Sequence, residues 1–122
     1  MHILTINNKK EEKFLRQKTQ ELEIPINSEI KKIIPKMKKT MRINDGVGLS
    51  ANQIGLPWRF FVAEYQSKSY VLINPKIVRH SKKIIIGEEG CLSVPQIVGI
   101  VPRYESVVVE AFNENDKKIK IK

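Results

Sequence analysis

Cys91 is the only cysteine of the chain and lies in Glu88-Glu-Gly-Cys-Leu-Ser-Val-Pro95. A lone free cysteine is most often a buried small hydrophobe, and that reading stays open. As a nucleophile Cys91 is poorly placed, because neighbouring glutamates raise a thiol pKa and disfavour the thiolate. A divalent cation reverses this logic by deprotonating the thiol that coordinates it, so metal ligand is the better functional reading. A second segment, Gly46-Val-Gly-Leu-Ser-Ala-Asn-Gln-Ile-Gly55, brings Gln53. Its neutral amide can donate to an oxyanion, a role worth about 2.7–4 kcal/mol in hydrolases; the alternative is a helix-terminating loop with a surface glutamine. Gly46 and Gly48 there permit a positive φ at a helix end and close approach by another chain. A catalytic mononuclear centre takes three protein ligands. The two histidines, His2 and His80, do not share a His-x-x-x-His spacing, and His80, next to Arg79 in a turn-like stretch, reads as a surface residue.

These residues must be positioned by the elements around them. From Asn27 or Ser28, each a plausible N-cap, apolar residues fall at Ile30, Ile33, Ile34, Met37 and Met41, which predicts an amphipathic helix ending near Asn44-Asp45-Gly46. Pro35 is the misfit and predicts a kink or a fresh start, since an interior proline removes a hydrogen bond at a cost of about 3 kcal/mol. Upstream, Ile3, Leu4 and Ile6 read as a short strand or anchoring segment, and Phe14, Leu15, Leu22 and Ile24 as scattered core contacts. Downstream of Gly55, β-branched and aromatic runs at 59–63, 70–73, 84–86, 98–101, 106–112 and 119–121 predict strands. Turn signals separate them at Gln66-Ser67-Lys68, Asn74-Pro75, Ser81-Lys82 and Asn113–Asp116. Such short turns imply antiparallel pairing. The fold class is therefore α+β, with mostly antiparallel β-sheets packed around a helix.

The 122 residues fit one domain with a modest apolar core. One cysteine allows no internal disulfide, and with neither a cationic-then-apolar leader nor an apolar run near ~18 residues the expectation is a cytoplasmic protein without a membrane span. The net charge of +9 favours polyanions. Seventeen of the 22 basic residues are lysine, spread along the chain beside 18 isoleucines, a composition that A+T-rich coding also produces. Specific nucleic-acid binding is not expected; weak association with ribosomal RNA is compatible with the charge.

Taken together, residues 46–55 and 89–93 resemble the Gly-x-Gly-Leu-x-Ala-x-Gln-x-Gly and Glu-Gly-Cys-Leu-Ser segments of peptide deformylases, the hydrolases that remove the formyl group from N-formylmethionine of nascent polypeptides. Val71-Leu-Ile-Asn-Pro75 and Val101-Pro-Arg103 extend the likeness. The resemblance implies that Cys91 is a thiolate ligand of the metal, usually Fe²⁺ and replaceable by Ni²⁺, Co²⁺ or, less actively, Zn²⁺. It implies that Gln53 and the backbone N–H of Leu92 polarise the formyl oxygen. Gly48 and Gly90 would pair with the substrate peptide as an added strand, and Val47 and Ile86 would line the pocket for its methionine side chain. N-formylmethionyl nascent peptides are the implied partners, with the ribosome beside them.

The departure from the family is its third motif. The resemblance implies a helix bearing His-Glu-x-x-His, which supplies two imidazoles and the general base, after a strand matching Lys118–Lys122; no such motif occurs here. The expectation is a single deformylase-like domain over 1–122, C-terminally incomplete, lacking the metal-binding helix and inactive as it stands, with low Fe²⁺ or Co²⁺ affinity. Two other readings are a split enzyme completed by a second polypeptide and a non-catalytic remnant that binds formyl-Met peptides or the ribosome. Without a helix covering the sheets, the chain is expected to be poorly soluble or partly molten. Gln53 and Cys91 are expected to meet in a cleft between the helix and the strands.

Overall fold

Helix α2 (Ser28–Ile43) is capped by Asn27, whose side chain accepts from the Ile30 N–H at 2.9 Å. The computed structural model describes Met1–Lys122. The helix buries Ile30, Ile34, Met37, Thr40 and Met41 along one stripe. It runs through Pro35 as one element, so the helix makes no fresh start there. Pro35 and Lys31 are both exposed, so the carbonyl that loses its intrahelical donor faces water. The helix ends in Asp45, at φ 56°, with the Gly46 N–H bonded back to the Met41 carbonyl at 2.9 Å. The left-handed residue is thus Asp45 and neither of the two glycines expected to supply it.

Seven strands follow: β1 (Gly48–Ser50), β2 (Phe60–Tyr65), β3 (Lys68–His80), β4 (Ile84–Cys91), β5 (Val94–Tyr104), β6 (Val107–Phe112) and β7 (Lys118–Ile121). One sheet has the order β1-β2-β3-β6-β7 and the second is the β4-β5 hairpin; every strand pair is antiparallel. The Gln66-Ser67 turn has both residues at positive φ, as a type I′ two-residue hairpin requires. Asn74-Pro75 is a correction: it forms no turn but a bulge inside β3, where Asn74 sits at φ 53°. There the Asn74 side chain clasps both the N–H and the carbonyl of Leu22 at 2.8 Å. The core lies between α2 and the large sheet, where Leu22, Ile26, Ile34, Met37 and Met41 meet Leu49, Phe60, Val62, Val71 and Ile73. Neither strand of the β4-β5 hairpin buries a residue; Ser93 in the turn between them is buried. No helix is long and apolar enough to cross a membrane.

The N-terminal segment is an anchor, not a strand. Leu4 donates its N–H to the Gln53 carbonyl at 2.7 Å and Ile6 donates to that of Ser93 at 3.0 Å. A short helix α1 (Lys9–Leu15), capped by Asn8, follows and was not legible in the apolar pattern. It has no buried residue, so Phe14 and Leu15 stay outside the core that Leu22 and Ile24 join.

Candidate active site

Two chain reversals face one another across a cleft of about 590 Å³. One wall comes from Asp45–Gly48 and the single 3-10 turn (Ala51–Ile54) that carries Gln53. The other is the β4-β5 turn with Gly90, Cys91, Leu92, Val94, Gln96, Ile97 and Val98. Val47, Gly48, Gln53, Gly90, Cys91 and Leu92 are thereby brought together although they are separated by up to 45 positions in sequence. Ile86 is not among the cleft residues: it is 74% exposed, paired with Pro102, and lies five residues down β4 from Cys91, about 16 Å at strand rise.

The orientation of Gln53 is fixed by simple donor logic. The Ser50 N–H can only donate, so the side-chain atom it meets at 2.9 Å is the amide oxygen. The amide NH₂ is thereby turned toward the cleft, 3.6 Å from the Cys91 Sγ and 3.1 Å from the Ser93 Oγ. Ser93 is buried, and its carbonyl accepts the Ile6 N–H. The sequence carries no local signal that this turn serine faces Gln53, because the contact spans 40 positions.

The backbone of the site is equally ordered. The Glu64 N–H bonds the Val47 carbonyl at 2.9 Å, and Gly48 pairs with Ala63 between bonded rungs. The N–H and C=O of Gly48 therefore point away from β2, toward the open edge of the sheet. The Leu92 N–H has no acceptor in the protein. The Leu92 side chain closes over Gly46, where an added Cβ would stand 2.7 Å from its Cδ1. Gly48 and Gly90 are less confined, with a Cβ at ordinary contact distance from carbonyls. Glu89, two residues before Cys91, is held in a two-pronged pair by Arg103 of β5 at 2.7 and 2.9 Å. That hydrogen bond, with the guanidinium charge, holds the Glu89 carboxyl below the usual glutamate range.

Cys91 is exposed, and no group of three His, Cys, Asp or Glu side chains gathers around it or elsewhere. His2 is bound to Glu11 at 3.1 Å and His80 is stacked on Tyr104 at 3.9 Å. Against the three ligands of a catalytic centre, the chain offers one thiol, so these residues alone do not fit a resident catalytic cation.

The family model for polypeptide deformylase matches residues 1–122. Among curated proteins, the peptide deformylase of Chloroflexus aurantiacus is 36% identical across 94% of this chain and 69% of that protein. That of Symbiobacterium thermophilum is 44% identical across 77% of this chain and 44% of that protein. Among solved structures, a peptide deformylase from Synechococcus elongatus in complex with actinonin superposes with a TM-score of 0.89 at 31% identity, over 99% of this chain and 64% of that one. A probable peptide deformylase from Synechococcus phage S-SSM7 does so with 0.88 at 32% identity, over 99% and 82%. The chain thus spans from under half to about four fifths of the length of these relatives.

Proposed function

The chain belongs to the polypeptide deformylase family, and on that premise we propose that its cleft receives the formyl-methionyl end of a nascent polypeptide for hydrolytic removal of the formyl group. The peptide lies along β1 as an added strand, bonded by the outward N–H and C=O of Gly48 and by the backbone of Gly90. Such recognition reads main chain and tolerates varied sequence. The methionine side chain rests against Val47, with Ile97 and Val98 opposite; Ile86, remote from the cleft, takes no part. The formyl oxygen sits between the Gln53 NH₂ and the Leu92 N–H, so charge developing on it meets dipoles already in place.

Cys91 would contribute one thiolate to a ferrous centre, for which nickel, cobalt or zinc would substitute. The two imidazoles and the general base would have to be supplied by a His-Glu-x-x-His segment, which residues 1–122 do not contain. A nascent-chain substrate supports a cytoplasmic protein acting beside the ribosome. One observation carries the reading: Gln53 is locked by Ser50 so that its NH₂ faces Cys91 within the cleft edged by Gly48.

The test is deformylation of a formyl-Met peptide by this chain, alone and with a His-Glu-x-x-His segment fused or added in trans, in the presence of Fe²⁺ or Ni²⁺. The chain alone is expected to show no turnover above background, and the supplemented protein measurable turnover. Cys91→Ala should abolish that turnover, and Gln53→Ala should lower it by about two to three orders of magnitude. Peptide binding without turnover in the supplemented protein favours the non-catalytic binder, and turnover indifferent to Cys91→Ala overturns the site assignment.

A further inference from the structure

Between Lys31 and Arg42, helix α2 carries six cations and no carboxylate. Its apolar stripe is turned into the core, which leaves Lys32, Lys36 and Lys39, at i, i+4 and i+7, in a row on the opposite, exposed face. None of these three is in an ion pair, whereas Lys31 is held by Asp116 at 3.2 Å and Arg42 is held by Glu64. The row departs from an ordinary solvated helix face, where opposite charges alternate at i, i+4 and support the helix. Here like charges repel along the row, and Lys31 also opposes the helix dipole in the first turn.

The fold adds to the row from far away in sequence. Asp116, in the β6-β7 turn, bonds both the Ile26 N–H and Lys31, which brings the end of the chain beside the start of α2. On β7, Lys118 and Lys120 stand opposite Phe112 and Glu110, and Lys118 is paired with the Glu110 carboxylate at 4.0 Å, which leaves Lys120 free of an ion pair. Phe112 packs into the core under α2, so by the two-residue period these lysines point to the face of the sheet that carries α2. Lys122 continues the alternation and is exposed.

We infer that the outer face of α2 with β7 is a docking surface for the phosphate backbone of double-helical RNA. The lysine row covers about 10 Å of helix, a length along which a duplex offers about six phosphates. The row holds no asparagine, glutamine or arginine to read base edges, and α2, half sunk in the core, cannot enter a groove. Contact is therefore with the backbone, independent of sequence, and of the kind by which A-form duplexes are recognised from outside. No residue of α2 or β7 lines the cleft, so the docked surface leaves the cleft open. The inference goes beyond the deformylase reading and does not depend on it.

The test is fluorescence anisotropy of a labelled RNA duplex titrated with the 122-residue chain up to micromolar concentrations across a salt series that starts low, with helix content followed by circular dichroism. The variant K32E/K36E/K39E should bind about tenfold more weakly or worse and lower the slope of log affinity against log salt by about three. K9E/K10E/K13E, which makes the same charge change on α1, should change affinity by no more than about twofold. Equal losses in both variants would reduce the effect to net charge and overturn the proposal. So would unchanged affinity in the first variant, tighter binding to a DNA duplex of the same length, or binding to vesicles containing phosphatidylserine in place of RNA.

Discussion

At Gly46 the absent side chain matters for space and not for backbone angle. A Cβ there would press on the Leu92 Cδ1 at 2.7 Å and its Cγ at 3.3 Å. Alanine can be met by a rotation of the leucine, but Gly46→Val cannot, and it should cost about 1–3 kcal/mol as an overpacked contact. Because the Leu92 N–H is the proposed second donor, the same variant should weaken binding of a formyl-Met peptide by calorimetry more than Gly48→Ala does. Peptide affinity unchanged in Gly46→Val would separate the Leu92 side chain from the donor. A second residue-scale expectation concerns Glu89. Its folded pKa is depressed by the Arg103 hydrogen bond, so the stabilisation from this pair is full above the unfolded glutamate pKa of about 4.3 and is lost as pH falls through the lower folded value. In Arg103→Gln the Glu89 carboxyl should titrate back in the ordinary glutamate range by NMR. Gln53 and Cys91 were legible as candidate chemistry from residue type and motif, yet Ser93 was not, since a serine in a turn gives no sign of facing an amide 40 positions away.

The elements differ in legibility for physical reasons. Helix α2 announces itself because its burial is one-sided and its cap is a side chain; Asn27→Ala should lower unfolding free energy in urea by about 1 kcal/mol. Helix α1 is seven residues of mostly charged sequence without a buried side chain, so no apolar period could report it. Strands β4 and β5 reach well beyond the 84–86 and 98–101 runs. Neither face of the hairpin is buried, and the alternation that marks a half-buried strand is missing. At Asn74-Pro75 the turn chemistry was real, but long-range bonds to Leu22 turned it into a bulge. Ile6→Pro probes the anchoring segment: it removes the donor to the buried Ser93 turn and should cost about 1–3 kcal/mol. By hydrogen exchange, the loss of protection should concentrate in the 3-10 turn and the β4-β5 turn, and a uniform loss would argue against a local anchor.

For the molecule as a whole, 16 of 122 residues are buried, and Val47, Ile84, Ile85, Ile86, Ile97, Val98 and Ile100 all stand about half exposed or more. Apolar exposure on this scale is uncommon for an isolated soluble domain. The chain alone should therefore bind an apolar dye and melt over a broad range; a sharp cooperative melt of a monomer without dye binding would contradict this. The β4-β5 hairpin is fastened at its base by bonds between Ser81 and Ser106 and between Glu105 and Lys83. At its tip it is fastened by Ile6, and nothing buries its middle. Mechanically it is a ribbon pinned at two ends. The cleft therefore has one stiff wall, backed by the core, and one lightly fastened wall whose separation is set by the Gln53–Ser93 bond together with a strap at the very start of the chain. Changes at Ile6, which touches no substrate, should be felt as a change in the width of the jaw.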